Sequence, residues 1–233
     1  MRDKEKTGTF AGYTQETVDF LWGIRFNNDR EWFMPRKELY QQQLLEPTRA
    51  LGEQVYAALC RSMPREPLLL KVSRIYRDAR RLHGRGPYKD HLWFSVSAPL
   101  EDWTGHPAFY FEIAPEYYSY GMGFWAPPPE LMAAYRRDIE ERPETLGKLV
   151  RRFNRQTAFT LSGSDYARPK GRVSDLLQPW YDKRSVNLEH TAPLDETIFS
   201  SALAEKIIAG LDELVPFYRY FSALCAAVYH TGA

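Results

Sequence analysis

The sequence predicts an α+β fold, with a mostly antiparallel central sheet and helices from the N- and C-terminal thirds packed on it. Three observations carry that prediction. Apolar residues recur at helical spacing on both sides of the middle third. Between Leu92 and Trp125 the period shortens to two. The segments of period two also follow one another without the long helical crossovers that parallel neighbours require. Helices, then strands, then helices again place the helices against one face of a sheet.

The elements follow in order. Residues 1–13 read as a polar leader, so the folded domain is expected over 14–233, as a single unit. Thr14 is a hydroxyl cap for a first helix whose apolar face is Val18, Leu21 and Ile24, ended by Asn27, Asn28 and Asp29. A second helix starts after Asp29 and carries Trp32, Phe33 and Leu39. Pro47 suits the first turn of a third, with Leu51, Val55 and Leu59 at helical spacing.

Leu68 to Leu70 form a buried-looking start to the basic stretch that follows. Strands are then predicted through Leu92, Phe94 and Val96, through Phe109, Phe111 and Ile113, and from Tyr117 to Trp125. Gly121 and Gly123 in the last of these imply a bulge or a close backbone approach. After Pro127, Pro128 and Pro129 come helices over 131–140 and 143–155. Further strands are expected at 158–162 and 185–188, and residues 194–229 read as two helices separated near Pro216.

Composition narrows the functional classes. Lys+Arg number 31 against Asp+Glu 30, a formal net charge of +1, which argues against nucleic acid as a partner. The N-terminus has no apolar h-region and no apolar run reaches membrane-spanning length. Cys60 and Cys225 stand apart from each other and from metal-ligand spacings, as expected of reduced core thiols in a cytoplasmic protein. No cofactor or metal is expected. Gly121-Met122-Gly123 lacks the third glycine of a dinucleotide fingerprint, Ser162-Gly163-Ser164 is no nucleophile elbow, and no zinc-ligand spacing occurs.

Against this neutral background the charge of residues 74–89 stands out. Arg74, Arg77, Arg80, Arg81, Arg85 and Lys89 are offset only by Asp78, with Asp90 next in the chain. Guanidinium groups offer planar forks of donors suited to phosphate and carboxylate. Asp78, embedded among cations, is a better orienter of an arginine than a general base. Periodicity does not decide between helix and strand for 74–81. Gly84, Gly86 and Pro87 enforce a loop that presents Tyr88 and Lys89. A second basic loop, Arg168-Pro169-Lys170-Gly171-Arg172, lacks the glycine spacing of a phosphate-cradling P-loop, and Lys170 is a candidate second wall of the same pocket.

The expected ligand is therefore a small phosphate- or carboxylate-bearing anion, held by Arg74, Arg77, Asp78, Arg80, Tyr88, Lys89 and Lys170. Whether chemistry follows is left open; if it does, Glu112 or His91 is the proton-transfer candidate, with His83 on the other flank of the loop. The alternatives are a structural ion-pair network and a nucleic-acid surface. Under the first, Arg77→Ala unfolds the chain, whereas under anion binding it spares the fold and loses the ligand; a salt titration with an oligonucleotide tests the second.

These residues resemble the family called domain of unknown function 2461, which comprises bacterial proteins of about this length and some fungal ones. Its signature is Arg-x-x-Arg-Asp-x-Arg-Phe, then Asp/Asn-Lys, then Pro-Tyr-Lys. Arg74, Arg77, Asp78 and Arg80 match the first part, and Pro87, Tyr88 and Lys89 the last. Asn27 to Phe33 resembles the family's Asn-Asn-x-Arg-Glu-Trp-Phe. Tyr110, Glu112, Ile113, Gly121, Gly123, Arg136, Ile139 and Pro169-Lys170-Gly171 fall where its later motifs do. Arg81 replaces the family's phenylalanine, and Gly84-Arg85 replaces Asp/Asn-Lys, making this loop more cationic. The resemblance implies one architecture for these segments and supplies no activity.

Overall fold

The structure, a computed structural model, describes residues 8–229 apart from 79, 81–83, 85 and 101–103. The fold is α+β. One antiparallel sheet has six strands in the order β1-β2-β3-β4-β6-β5. The strands are β1 (Leu69–Val72), β2 (Leu92–Ser97), β3 (Pro107–Ile113), β4 (Tyr117–Phe124), β5 (Thr160–Ser162) and β6 (Asn187–Pro193). β5 pairs β6 with Thr160 opposite Glu189 and Ser162 opposite Asn187.

The helices are α1 (Gln15–Phe26), α2 (Arg30–Phe33), α3 (Lys37–Leu39), α4 (Glu46–Ser62), α5 (Pro129–Glu141), α6 (Pro143–Phe153), α7 (Gln178–Tyr181) and α8 (Ala202–Tyr229). The chain divides into two compact units. The first comprises 1–96, 110–120 and 191–209; the second comprises 97–109, 121–190 and 210–233.

In the first unit Thr14 caps α1 through a reciprocal box with Thr17, and the Asp29 side chain caps α2 at the Trp32 amide. Between α2 and α4 the helical path changes pitch twice, first to a 3-10 turn at Met34–Arg36 and then to a π-helical stretch at Tyr40–Leu45. The prolines account for part of this. Pro47 cannot donate to the carbonyl of Gln43, and the Thr17 hydroxyl takes that carbonyl instead, at 2.6 Å.

Alternation on β2 and β3 sends Leu92, Phe94, Val96, Phe111 and Ile113 inward, all fully buried. Phe94 stacks on Phe111 at 5.4 Å, and Tyr13 lies over Phe111 at 6.4 Å. Phe10 and Tyr13 are buried. These two aromatic side chains supply apolar area that holds residues 8–13 down. β1 brings a correction. Its residues alternate between exposed and half-buried, and Leu69 is exposed, because the strand is an edge of the sheet.

In the second unit α8 supplies Tyr218 against Phe109 of β3, at 4.8 Å, and Phe221 against Phe124 of β4, at 5.2 Å. Phe153 of α6, Trp180 of α7 and Phe217 of α8 form an aromatic cluster. The expected break near Pro216 is absent, for α8 runs through it. Loss of one N–H is outweighed where Leu214, Val215, Phe217 and Tyr218 are all buried on either side of the proline.

Gly121 answers the expectation of close approach. A Cβ there would lie 2.0 Å from the Leu188 carbonyl oxygen of β6. Both cysteines are free, and burial pushes the Cys225 thiol up to about 12. Among the described residues no helix is long and apolar enough to cross a membrane.

Candidate anion site around Asp90

Among the described residues of the basic stretch there is no α-helix and no strand beyond an isolated bridge. Beyond β1 the chain stays extended and turns back on itself, with Tyr76 bridged to Tyr88. The Arg77 amide donates to the Pro87 carbonyl at 2.8 Å, and the Lys89 amide donates to the Ile75 carbonyl at 2.7 Å. The loop that follows α1 clamps this ribbon. Asn28 accepts from the Tyr88 amide through Oδ1 and donates to the Tyr88 carbonyl through Nδ2, each at 2.9 Å. Gly86 permits the approach, since a Cβ there would sit 2.2 Å from Asn28 Oδ1.

Tyr88 itself is buried, its ring 4.2 Å from Phe33 and 5.4 Å from Tyr76. Burial, first of all, raises its phenol above the ordinary value. It is an anchor for the loop.

Asp90 is the hub. Its Oδ2 accepts from Arg25 Nε at 2.6 Å, and its Oδ1 accepts from Arg77 NH2 at 3.4 Å. Arg25 also pairs with Glu116, and Arg77 Nε donates to the Tyr88 carbonyl at 2.6 Å. Burial by itself would raise the Asp90 carboxyl. The Arg25 hydrogen bond, Asp90's own backbone amide, the His91 contact and the Arg25 charge together outweigh it and hold the group below its ordinary value. An ionised Asp90 can only accept, so His91 Nδ1, 3.2 Å from Oδ1, carries the proton.

The remaining cations differ in how committed they are. Asp78 grips Arg80 through the amide at 3.1 Å and through two guanidinium nitrogens at 3.0 and 2.9 Å. Arg80 is otherwise in solvent, its side chain 88% exposed, which limits that pair's worth. Arg74 is exposed, while its carbonyl accepts from Lys89 Nζ at 2.7 Å. Lys89 Nζ also lies 5.7 Å from the centroid of the Trp93 ring. Burial depresses the Lys89 ammonium below its ordinary 10.5, and the charges of Arg77 and Arg74 depress it further against the pull of Glu112.

Glu112 belongs to the same face of the sheet, opposite to Phe111. Its Oε1 accepts from the Tyr117 hydroxyl at 2.7 Å. Burial, then the bond to Glu112 and that residue's charge, keep the Tyr117 phenol protonated far above its ordinary range. Beyond this pair the face is hydroxyl-rich: Ser119 meets Tyr110 at 3.4 Å and Thr191 at 3.2 Å.

The structure thus brings Arg74, Arg77, Lys89, His91 and Glu112 together in the first unit, with Asp78 and Arg80 paired to each other nearby in sequence. Lys170 belongs to the second unit, where Nζ lies over Tyr166. Arg81, His83 and Arg85 lie outside the described residues. Sequence reasoning missed Arg25, Asn28, Glu116 and Tyr117, and it treated Asp90 only as an offsetting charge. Asn28 had a signal in the Asn27–Phe33 motif; the partnership of Arg25 with Asp90, 65 residues apart, had none. Among the described residues no group of three His, Cys, Asp or Glu side chains could hold a metal.

The family model of the conserved hypothetical protein DUF2461 matches residues 16–220, and the chain belongs to that family. A comparison with curated proteins finds no match.

Proposed function

We propose that the first unit binds a small ligand through one oxyanion, a carboxylate or phosphate, held by Lys89, Arg74 and the free edge of Arg77. The observation that carries this is the half-buried Lys89 ammonium, bonded to the Arg74 carbonyl and acted on by the charges of both Arg77 and Arg74. The opposing charge that acts on it, Glu112, already accepts from the Tyr117 hydroxyl. An oxyanion there pairs with all three cations and relieves their mutual repulsion.

Asp90 fixes the orientation of Arg77 by a charge-assisted bond. The Asp78–Arg80 pair stands at the rim, and Tyr88 anchors the loop through packing. The hydroxyl-rich sheet face with Trp93 suits the polar body of such a ligand. His91 and Glu112 are the groups able to move a proton there, should the ligand be turned over.

The experiment is calorimetric titration with inorganic phosphate and, separately, acetate, on the wild type and on Lys89→Gln and Arg74→Gln. Both variants are expected to keep the native melting transition and to weaken binding about tenfold. Unchanged affinity in both would overturn the assignment.

A second reading, a purely structural lock, is favoured by one observation: Arg77 donates to both the Tyr88 carbonyl and Asp90. Under it, neither anion binds the first unit, and Arg77→Ala lowers stability only.

A further inference from the structure

The second unit holds a pair of cations that the Lys89 cluster does not involve. Arg136 of α5 lies against the Tyr166 ring, with Cζ 4.9 Å from its centroid. The following loop carries Lys170 back over the same ring, with Nζ at 4.7 Å. One aromatic ring thus carries both cations.

Arg136 NH1 is sealed from solvent and meets no acceptor among the described residues. A buried charged donor without an acceptor is costly, and a second cation beside it adds repulsion. The carboxylate that helical spacing would offer to Arg136 is Glu140, one turn along α5. Glu140 is diverted, because its Oε1 accepts from the Tyr181 hydroxyl at 2.5 Å.

The loop is seated against the same tyrosine. A Cβ on Gly171 would lie 2.7 Å from the Tyr181 hydroxyl oxygen, so the loop beside Lys170 passes close against that tyrosine. Burial, the Glu140 bond and charge, and Asp182 hold the Tyr181 phenol above its ordinary value, with Arg136 opposing. The surroundings are therefore mixed in charge. They suit one oxyanion and disfavour a polyphosphate.

We infer that Arg136 and Lys170, braced on Tyr166, form a second binding site, which takes a single carboxylate or phosphate group of a small ligand. Arg136 offers the buried NH1 donor and Lys170 a movable point charge. The site stands on its own residues, and its fate does not depend on the Lys89 cluster.

The test is an NMR titration of the full chain with inorganic phosphate and, in a separate arm, acetate, observing the Arg136 Nε–Hε and Tyr166 amide signals. Saturable shifts of both signals are expected. They persist in Lys89→Gln, and Lys170→Gln, on an exposed loop, weakens them about tenfold. A response to phosphate alone assigns a phosphoryl ligand, and a response to acetate a carboxylate. The inference is overturned if both signals stay still with both anions, if the shifts vanish in Lys89→Gln, or if folded Lys170→Gln binds as tightly as the wild type.

Discussion

Asn28 pairs with Tyr88 as a neighbouring strand would, its side-chain amide accepting from the Tyr88 N–H and donating to the Tyr88 C=O at 2.9 Å each. One side chain thereby satisfies two backbone groups of the loop that positions Lys89. Two part-buried hydrogen bonds at about 1 kcal/mol each predict a loss of about 2 kcal/mol for Asn28→Ala in urea unfolding. Asn28→Asp, which keeps the acceptor and loses the donor, is expected to lose stability as well.

Asp90 sets an acid limit on stability. Its folded carboxyl titrates below the ordinary value, so its contribution is fully present above about pH 3.9 and is lost as the pH falls through the folded value. The urea midpoint of Asp90→Asn is expected to lie below that of the wild type at pH 7. The gap closes on acidification below about pH 4. A gap independent of pH would show that the Arg25 and Arg77 contacts do not depend on the Asp90 charge.

Arg77 and Lys89 are expected to separate stability from binding. Arg77 makes two charge-assisted or backbone bonds from a side chain only 20% exposed, so Arg77→Ala should cost about 2 kcal/mol. Lys89 is a burdened cation, and Lys89→Met should leave the melting temperature unchanged or raise it. Thermal melts of the two variants side by side decide this.

Pro216 interrupts the hydrogen-bond ladder of α8 without breaking the helix. Pro216→Ala restores an N–H to the Asp212 carbonyl and should stabilise the protein by about 1 kcal/mol. Lower stability would mean that the ring's packing matters more than the missing bond.

The elements legible in the sequence were those whose burial is local and periodic. Thr14, Asp29 and Pro47 marked helix starts where the caps and first turn lie. Phe94 and Phe111 marked strands, and Gly121 a close approach. Pro216 misled because a helix buried along both flanks of a proline outweighs the local penalty.

In the site, Arg74, Arg77 and Lys89 were visible as a local charge excess on a neutral chain. Their organiser was not. Asp90 bonds both Arg77 and Arg25 of α1, and a pairing across 65 residues leaves no trace in spacing or period. Tyr88, read as a ligand contact, is buried with its ring against Phe33, and a tyrosine beside a basic loop has the same sequence signature whether its ring is packed or exposed.

The most direct measurement is the NMR titration of the Lys89 ammonium, with and without saturating inorganic phosphate at constant ionic strength. Without phosphate the midpoint should fall below the ordinary 10.5. With phosphate it should move upward, because a bound anion favours the charged form. A midpoint that ignores phosphate would contradict oxyanion binding at Lys89.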